Sequence, residues 1–153
     1  MIKNINGVSI RYKQIIPDDR GKILHIMKNT DPNFTTFGEV YCSTVYPGVV
    51  KGWHMHKEMT LNYLVLKGNI KFVLYDDRVD STTYKQIQEI YIGDNNYVMV
   101  TVPPFVWNGF KGIGLDEALV INFTDIPHDS KEILRIDPHV NEIIDYNWEL
   151  KDR

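Results

Sequence analysis

Apolar and polar positions alternate in short runs through the middle of the chain. Stretches rich in Val, Ile, Tyr and Phe are separated by Gly, Pro and Asp-Asn clusters, which is typical of sequential antiparallel strands. The pattern predicts strands at residues 37–45, 49–56, 62–66, 70–76, 86–92, 97–102 and 118–123. Many short strands without a long helical pattern predict an all-β sandwich or closed barrel, because closure removes strand edges that would otherwise pair with other chains.

The segments between these strands carry turn residues. Segments 67–69 (Lys-Gly-Asn) and 93–96 (Gly-Asp-Asn-Asn) predict tight hairpin turns. The pair 103–104 (Pro-Pro) must leave any central ladder because proline has no amide hydrogen to donate. We expect a helical turn at 129–134, and an irregular tail around 145–148 that packs aromatic rings on the barrel.

Length, composition and charge narrow the class of protein. The 153 residues are 43% hydrophobic and 12% aromatic, which suffices for one core, so we expect a single domain over residues 1–153. A net charge of -3 gives no general attraction to nucleic acid or to an anionic membrane. The sequence has no apolar signal core and no run near the ~20 apolar residues of a membrane span. Cys42 has no disulfide partner and is expected as a small buried residue, which suits a soluble protein of the reducing cytoplasm.

Two histidines mark the strand predicted at 49–56. His54 and His56 lie two residues apart and share one face, while Lys51 and Trp53 alternate with them. The expected neighbours are aromatic and cationic side chains suited to a sugar ring and a developing negative charge: Lys51, Trp53, Tyr63, Tyr75 and Trp107. The alternative is a histidine pair that is simply hydrogen-bonded in the core or at a barrel mouth.

The histidine strand also resembles the first motif of the cupins, in which a glycine is followed after five residues by His-x-His. Metal-binding cupins complete their ligand set with a glutamate and a later histidine, and the matching positions here are Leu61 and Asn108. Two histidines alone fall short of the usual three or more protein ligands, so no metal is predicted. The alternative is a metal-dependent cupin in which Glu58 supplies the missing ligand.

Four segments carry a longer shared pattern: Asp19-Arg20-Gly21, Lys51-Gly52-Trp53-His54, residues 76–84 (DDRVDSTTY) and residues 102–110 (VPPFVWNGF). Their order and spacing over residues 15–126 resemble the dTDP-4-dehydrorhamnose 3,5-epimerase family of metal-free cupins. The resemblance implies an all-β cupin or jelly-roll barrel. It also implies an isomerase that acts on a nucleotide-linked 4-keto-6-deoxyhexose without a cofactor. A shorter branch with Gly-Trp-His-x-His-Lys is associated with surface polysaccharide precursor synthesis.

The resemblance implies His54 as the base, because a neutral imidazole with a pKa near about 6.5 can remove a proton next to a ketone. The resulting enolate needs positive charge or hydrogen-bond donors, for which Lys51, His56 and Asn108 are available. His128 is the expected acid for the opposite ring face. Its alternative is an exposed loop residue without a role in catalysis.

The substrate's diphosphate needs fixed cations, and the resemblance implies Arg20 and Arg78. Each has an alternative partner: Arg78 its neighbouring carboxylates, and Arg20 a turn with Asp18 or Asp19. In the family the early segment reaches across a dimer, so Arg20 can serve the other subunit. Glu39 stands at the position that contacts the nucleobase, and Tyr63 and Trp107 are further substrate-binding candidates.

The chain departs from the family pattern at working positions. The family's lysine falls at Leu61 or Asn62, its tyrosine at Ile126, and the carboxylate that partners the base has only Asp76 or Asp145 as candidates. These departures keep open a second function, a non-catalytic cupin that binds sugar nucleotides. We also expect a homodimer, because segment 1–14 alternates like a strand and has little cover of its own.

Overall fold

The computed structural model describes residues 4–151, and these form two five-stranded antiparallel sheets that face each other. The strands are β1 (Ser9–Tyr12), β2 (Ile15–Asp18), β3 (Gly21–Leu24), β4 (Glu39–Val45), β5 (Val50–His56), β6 (Leu61–Lys67), β7 (Asn69–Asp76), β8 (Ile87–Gly93), β9 (Val98–Val102), β10 (Val106–Ile113), β11 (Ala118–Thr124) and β12 (Ile133–Arg135). The first sheet has the order β1-β9-β6-β11-β4, and the second has the order β12-β5-β10-β7-β8. Strands β2 and β3 form a separate two-stranded ribbon. The predicted all-β fold is confirmed.

The main core fills the space between the two sheets. Leu61, Tyr63 and Val65 of β6 face Phe72 of β7 and Phe110 of β10 in this core. Since residues two apart on a strand share a face, the residues between them point away from the core. On β6 this outer face is buried as well, because segment 24–27 packs against it. The unbroken apolar run of β6 therefore reflects burial on both faces.

All seven strands predicted from the sequence are present, with ends that differ by at most two residues. The longest strand that the pattern missed is β10, which contains Gly109 and Gly112. Glycine weakens a strand signal, but inside a sheet it also marks the close approach of another backbone. A Cβ atom on Gly52 of β5 would lie 2.9 Å from the Cα of Gly109. The glycines that hide β10 in the sequence thus allow it to pair tightly with β5.

The two predicted hairpins are wrong. Gly68 separates β6 from β7 and segment 94–97 separates β8 from β9, but in both cases the two strands belong to different sheets. Gly68 has a φ of 78°, and a Cβ atom there would lie 2.9 Å from the Cα of Ala118. Turn residues predict that the chain reverses, but they do not say which sheet receives the next strand.

Two further expectations need correction, and one is confirmed. Segment 129–134 is not a helical turn throughout, because Ile133 begins β12, which pairs with β5. Cys42 is exposed rather than buried, since β4 is the edge strand of its sheet and its outer face is uncovered. The pair 103–104 lies between β9 and β10, outside both ladders, as expected.

One edge of the N-terminal segment is paired within its own chain, while its other edge is open because β1 ends the first sheet. Residues 1–3 of the segment 1–14 lie outside the described residues. Strand β1 pairs with β9 along its whole length. Within residues 4–151 no helix is long and apolar enough to cross a bilayer.

The tail after β12 packs on the outer face of the second sheet. Trp148 is 2% exposed, and its ring lies 4.9 Å from that of Trp53. The backbone carbonyl of Trp148 accepts hydrogen bonds from the buried Lys71 (3.5 Å) and Lys111 (3.0 Å). The expected irregular tail with packed aromatic rings is confirmed. It presses on the strand that carries the two histidines.

Replacing Trp148 by alanine should therefore lower the free energy of unfolding by about 3–5 kcal/mol, the usual cost of truncating a buried tryptophan. Chemical denaturation measures this loss. Leu150→Ala is the matched control in the same tail, because Leu150 is 59% exposed and its truncation should change stability by less than ~0.5 kcal/mol. Equal, small effects of both variants would contradict the proposed packing role of the tail.

Candidate active site

A cavity opens between the two sheets at the end of the barrel where β5 and β12 pair. Five strands and the loop after β11 contribute its walls. The lining residues are Glu39, Tyr41, Ser43, Lys51, His54, His56, Met59, Tyr63, Phe110, His128, Ile133 and Arg135. Six polar residues chosen from the sequence lie together here: Glu39, Lys51, His54, His56, Tyr63 and His128.

An irregularity in β5 places Lys51 on the same face as the histidines. Along β10, Asn108 pairs with His54 and Phe110 pairs with Lys51, so two steps on β10 correspond to three on β5. Such a bulge shifts the side-chain alternation by one residue. The strict alternation expected from the sequence is therefore wrong at this point. Lys51 lines the cavity, while Trp53 packs outside the barrel.

His54 has the environment of a neutral base. Its Nε2 lies 3.0 Å from the hydroxyl oxygen of Tyr63. Burial lowers the pKa of His54 to about 3, and the positive charges of His56 and Arg135 act in the same direction. Burial also raises the pKa of Tyr63 well above its usual value, so the phenol stays protonated. The ring of His54 is thus uncharged at physiological pH.

The carboxylates expected to support His54 serve elsewhere. Asp76 is fully buried and accepts hydrogen bonds from Arg78, Ser81 and Thr83, which hold its pKa well below the usual value although burial acts to raise it. Asp145 is exposed on the tail and lies outside the cavity. The hydrogen-bond partner of His54 in this structure is a phenol.

His56 has the carboxylate partner instead. Its Nδ1 is hydrogen-bonded to Oε1 of Glu132, and both side chains are buried. The other carboxylate oxygen of Glu132 accepts hydrogen bonds from the backbone amides of Lys57 (3.1 Å) and Glu58 (3.2 Å). Burial raises the pKa of Glu132, but the hydrogen bonds from His56 and the backbone amides together lower it by more than burial raises it. The net shift of the pKa is downward. Sequence patterns gave no signal for Glu132, which lay in the segment expected to be a helical turn.

Four predicted site residues lie outside the cavity. Arg20 is 89% exposed in its side chain and pairs with Asp18 in the β2–β3 ribbon. Arg78 donates from Nε and Nη2 to Asp76 and from Nη2 to the backbone carbonyl of Asn6, which holds its guanidinium outside the cavity. Their alternative, purely local partners are the ones observed.

Trp107 and Asn108 also differ from the expectation. Trp107 points out of the barrel, where it packs in the same cluster as Trp53 and Tyr75. Asn108 is fully buried, and its Nδ2 donates to the backbone carbonyl of His54 at 3.2 Å. Neighbouring residues on β10 face opposite sides of the sheet, which explains why only one of this pair can point inward. Asn108 thus supports the strand of His54 and does not line the cavity.

The cavity includes polar residues that the sequence analysis missed. Tyr41 and Ser43 follow Glu39 at steps of two along β4, so alternation from Glu39 was the signal that would have found them. Ser43 accepts a hydrogen bond from Lys51 Nζ at 2.9 Å. Arg135 pairs in register with His54 across β12 and β5, and only the tertiary pairing brings it to the cavity.

The metal alternative has no matching cluster in the described part of the chain. Within residues 4–151, no group of three His, Cys, Asp or Glu side chains is arranged to hold a metal ion.

Known proteins share this fold. A crystal structure of a dTDP sugar isomerase from Desulfovibrio desulfuricans superposes with a TM-score of 0.86 at 38% identity, covering 88% of this chain and 87% of that one. The fold is therefore the jelly-roll barrel of the cupin-type sugar isomerases. The model of the dTDP-4-dehydrorhamnose 3,5-epimerase family matches residues 3–153, and this chain belongs to that family.

Two curated relatives agree with this membership. The chain is 36% identical over 122 residues to the probable low-salt glycan biosynthesis epimerase Agl13 of Haloferax volcanii, and the match covers 78% of each chain. It is 30% identical over 151 residues to the spore coat polysaccharide biosynthesis protein SpsL of Bacillus subtilis, with 97% of this chain and 99% of SpsL covered.

The lowered pKa of His54 predicts a pH dependence of stability. In the unfolded chain the imidazole of His54 takes up a proton at pH ~6.5, whereas in the folded protein it does so only at about pH 3. The unfolded state therefore binds more protons between these values, and the free energy of unfolding should rise with pH across this window. Denaturant titrations at several pH values measure the slope. In His54→Asn the free energy of unfolding should depend less steeply on pH. An unchanged slope would contradict a lowered pKa of His54.

Proposed function

We propose that this protein is an epimerase of a nucleotide-linked 4-keto-6-deoxyhexose and that His54 removes the proton next to the ketone. The observation that carries this proposal is a neutral histidine in a cavity that also holds the cationic side chains Lys51 and Arg135. The names of the relatives, an epimerase of glycan biosynthesis and a spore coat polysaccharide protein, support a role in making surface polysaccharide precursors.

The first step breaks a carbon–hydrogen bond beside the ketone. The proton goes to the imidazole of His54, and the bonding electrons form an enolate whose negative charge lies on the former keto oxygen. Lys51 and His56 share the cavity face of β5 and provide positive charge or donors for that oxygen. No electrons are gained or lost overall, so the step needs no oxidant or reductant.

The second step returns a proton to the opposite face of the ring. His128 lines the cavity from the loop after β11 and is exposed to solvent. An exposed histidine exchanges its proton with water readily, which suits a group that must be reprotonated in each cycle. We assign His128 as the acid.

The diphosphate is assigned to Arg135. With Lys51 assigned to the enolate oxygen, Arg135 is the other long cationic side chain that lines the cavity, and its guanidinium suits bidentate contact with phosphate. Glu39 is assigned to the nucleobase, because its carboxylate can accept hydrogen bonds from N–H groups of the base. Arg20 lies on an exposed ribbon and can contribute only to the cavity of another subunit.

A homodimer and a cytoplasmic location belong to the same proposal. The dimer rests on the resemblance, in which the early segment reaches across to the other subunit, and the exposed position of Arg20 leaves its side chain accessible for such a contact. Cys42, exposed and without a disulfide, suits a reducing compartment. Sedimentation at micromolar concentration should give twice the 17.9 kDa chain mass. A monomer at that concentration would remove the role of Arg20.

A non-catalytic binding protein is the second candidate. Leu61 is buried in the core, and Ile126 packs against it, so the positions of the family's lysine and tyrosine carry no ionisable group. Both candidates bind the keto sugar in the same cavity, and they differ only in whether the carbon-bound proton is removed.

A deuterium exchange assay distinguishes the epimerase from the non-catalytic binding protein. Incubation with a dTDP-linked 4-keto-6-deoxyhexose in deuterated water should place deuterium at the carbon next to the ketone, as followed by NMR or mass spectrometry. His54→Asn should lower the exchange rate more than about a hundredfold, the lower scale of general base catalysis, with little change in affinity. Wild-type protein that binds the sugar nucleotide without exchange would leave the binding function standing.

His128→Phe should divide the two steps in the same assay. Exchange should persist, because His54 still removes and returns the first proton, while inversion at that carbon should stall. His139→Phe is the control, since His139 is an exposed histidine outside the cavity. Inversion at the wild-type rate in His128→Phe would exclude His128 as the acid.

A further inference from the structure

The two histidines of the cavity have opposite kinds of partner. His54 meets the neutral phenol of Tyr63, and His56 meets the carboxylate of Glu132. Their rings lie 5.9 Å apart and nearly perpendicular, so each is close enough for its charge to act on the other. A site in which the environment separates two titratable groups in this way assigns them different roles in proton transfer.

The carboxylate of Glu132 is held in place by backbone amides as well as by His56. Its Oε2 accepts hydrogen bonds from three successive backbone amides of the turn between β5 and β6, at 3.1 Å, 3.2 Å and 3.4 Å. These donors keep the carboxyl group ionised, and Oε1 is left to accept the proton on Nδ1 of His56. Nε2 of His56 has no hydrogen-bond partner within residues 4–151, and the ring lines the cavity.

We propose that Glu132 is a positioning residue that holds His56 doubly protonated, with its Nε2–H directed at the keto oxygen of the substrate. This rests on the proposed function and assigns the group that stabilises the enolate. Glu132 accepts from Nδ1 and balances the charge of the imidazolium. The charged ring then donates from Nε2 as negative charge develops on the oxygen, while neutral His54 takes the proton from carbon.

The charge of His56 depends on every ionisable group that faces the cavity. Glu132 is the carboxylate in contact with it, and Glu39 lies across the cavity on β4. The remaining ionisable groups that line the cavity are Lys51 and His54 of β5, Tyr41 of β4, Tyr63 of β6, His128 and Arg135. Lys51 and Arg135 oppose a further positive charge, so the direct contact with Glu132 is what maintains it.

A purely structural role for Glu132 predicts a loss of stability without a change in the protonation of His56. Because its Oε2 also ties down the β5–β6 turn, loss of the side chain would lower stability whatever the state of His56. Glu132→Gln keeps an oxygen for the turn amides but removes the negative charge. Glu58→Gln is the matched control, because Glu58 is exposed in the same turn.

The first measurement needs no substrate. In the wild-type protein at neutral pH, nitrogen NMR of labelled histidine should show both ring nitrogens of His56 protonated, and His54 neutral. In Glu132→Gln, His56 should lose one proton at that pH, whereas Glu58→Gln should match the wild type. A neutral His56 in the wild-type protein would overturn the proposal, even if the variant does not fold.

The second measurement follows the reaction. With His56 uncharged, Glu132→Gln should slow deuterium exchange and inversion together by at least about tenfold, less than the hundredfold or more lost when an oxyanion donor is removed outright. The alkaline limb of the pH–rate profile should move to lower pH in Glu132→Gln and stay in place in Glu58→Gln. A slower variant with an unmoved limb would reduce Glu132 to a structural residue.

The two proposals fail separately. Absence of exchange in the wild-type protein would remove the epimerase function and leave the NMR result for His56 intact. Normal exchange together with a neutral His56 would keep the epimerase and remove the role of Glu132.

Discussion

The contact between β5 and β10 is the constraint on which the site depends. Gly52 and Gly109 meet where a side chain on either would strike the opposing backbone, with a Cβ on Gly52 only 2.9 Å from the Cα of Gly109. The bulge beside this contact turns Lys51 and His54 to the same side of the sheet and sends Trp53 to the other. One local irregularity therefore separates the cavity from the aromatic packing behind it.

The tail and β12 make this arrangement durable. Trp148 covers Trp53. Lys71 and Lys111, on the outer face of the sheet, donate to the backbone carbonyl of Trp148. Buried ammonium groups are costly unless they find acceptors, so the tail and the two lysines satisfy each other. The chain just before the tail places Arg135 of β12 at the cavity and Glu132 against His56, so the cover of the barrel is continuous with residues of the site.

The electrostatics of the cavity differ from what family motifs imply. Side chains without an ionisable group stand at the positions of the family's lysine and tyrosine, and the expected partners of the base, Asp76 and Asp145, are engaged elsewhere or exposed. A carboxylate is instead supplied to the second histidine of the strand. Burial keeps the ring of His54 neutral, and a hydrogen bond to Glu132 fixes the ring of His56, so the two histidines of one strand stand in different environments.

The sequence by itself determined the local features: the strands with clear alternation, the all-β class, and the cavity residues that lie on one strand with His54 or on a recognisable motif. Alternation has a range of only a few residues, so it could not show that Gly68 leads to the other sheet or that β10, with its glycines, is a central strand. The family resemblance implied Arg78 at the site and Trp107 was expected there as an aromatic neighbour, although Trp107 faces outward and Arg78 is held by Asp76. Glu132 meets His56 across 76 positions of the chain. Only tertiary folding brings together groups so far apart, because no periodicity or motif spans that distance.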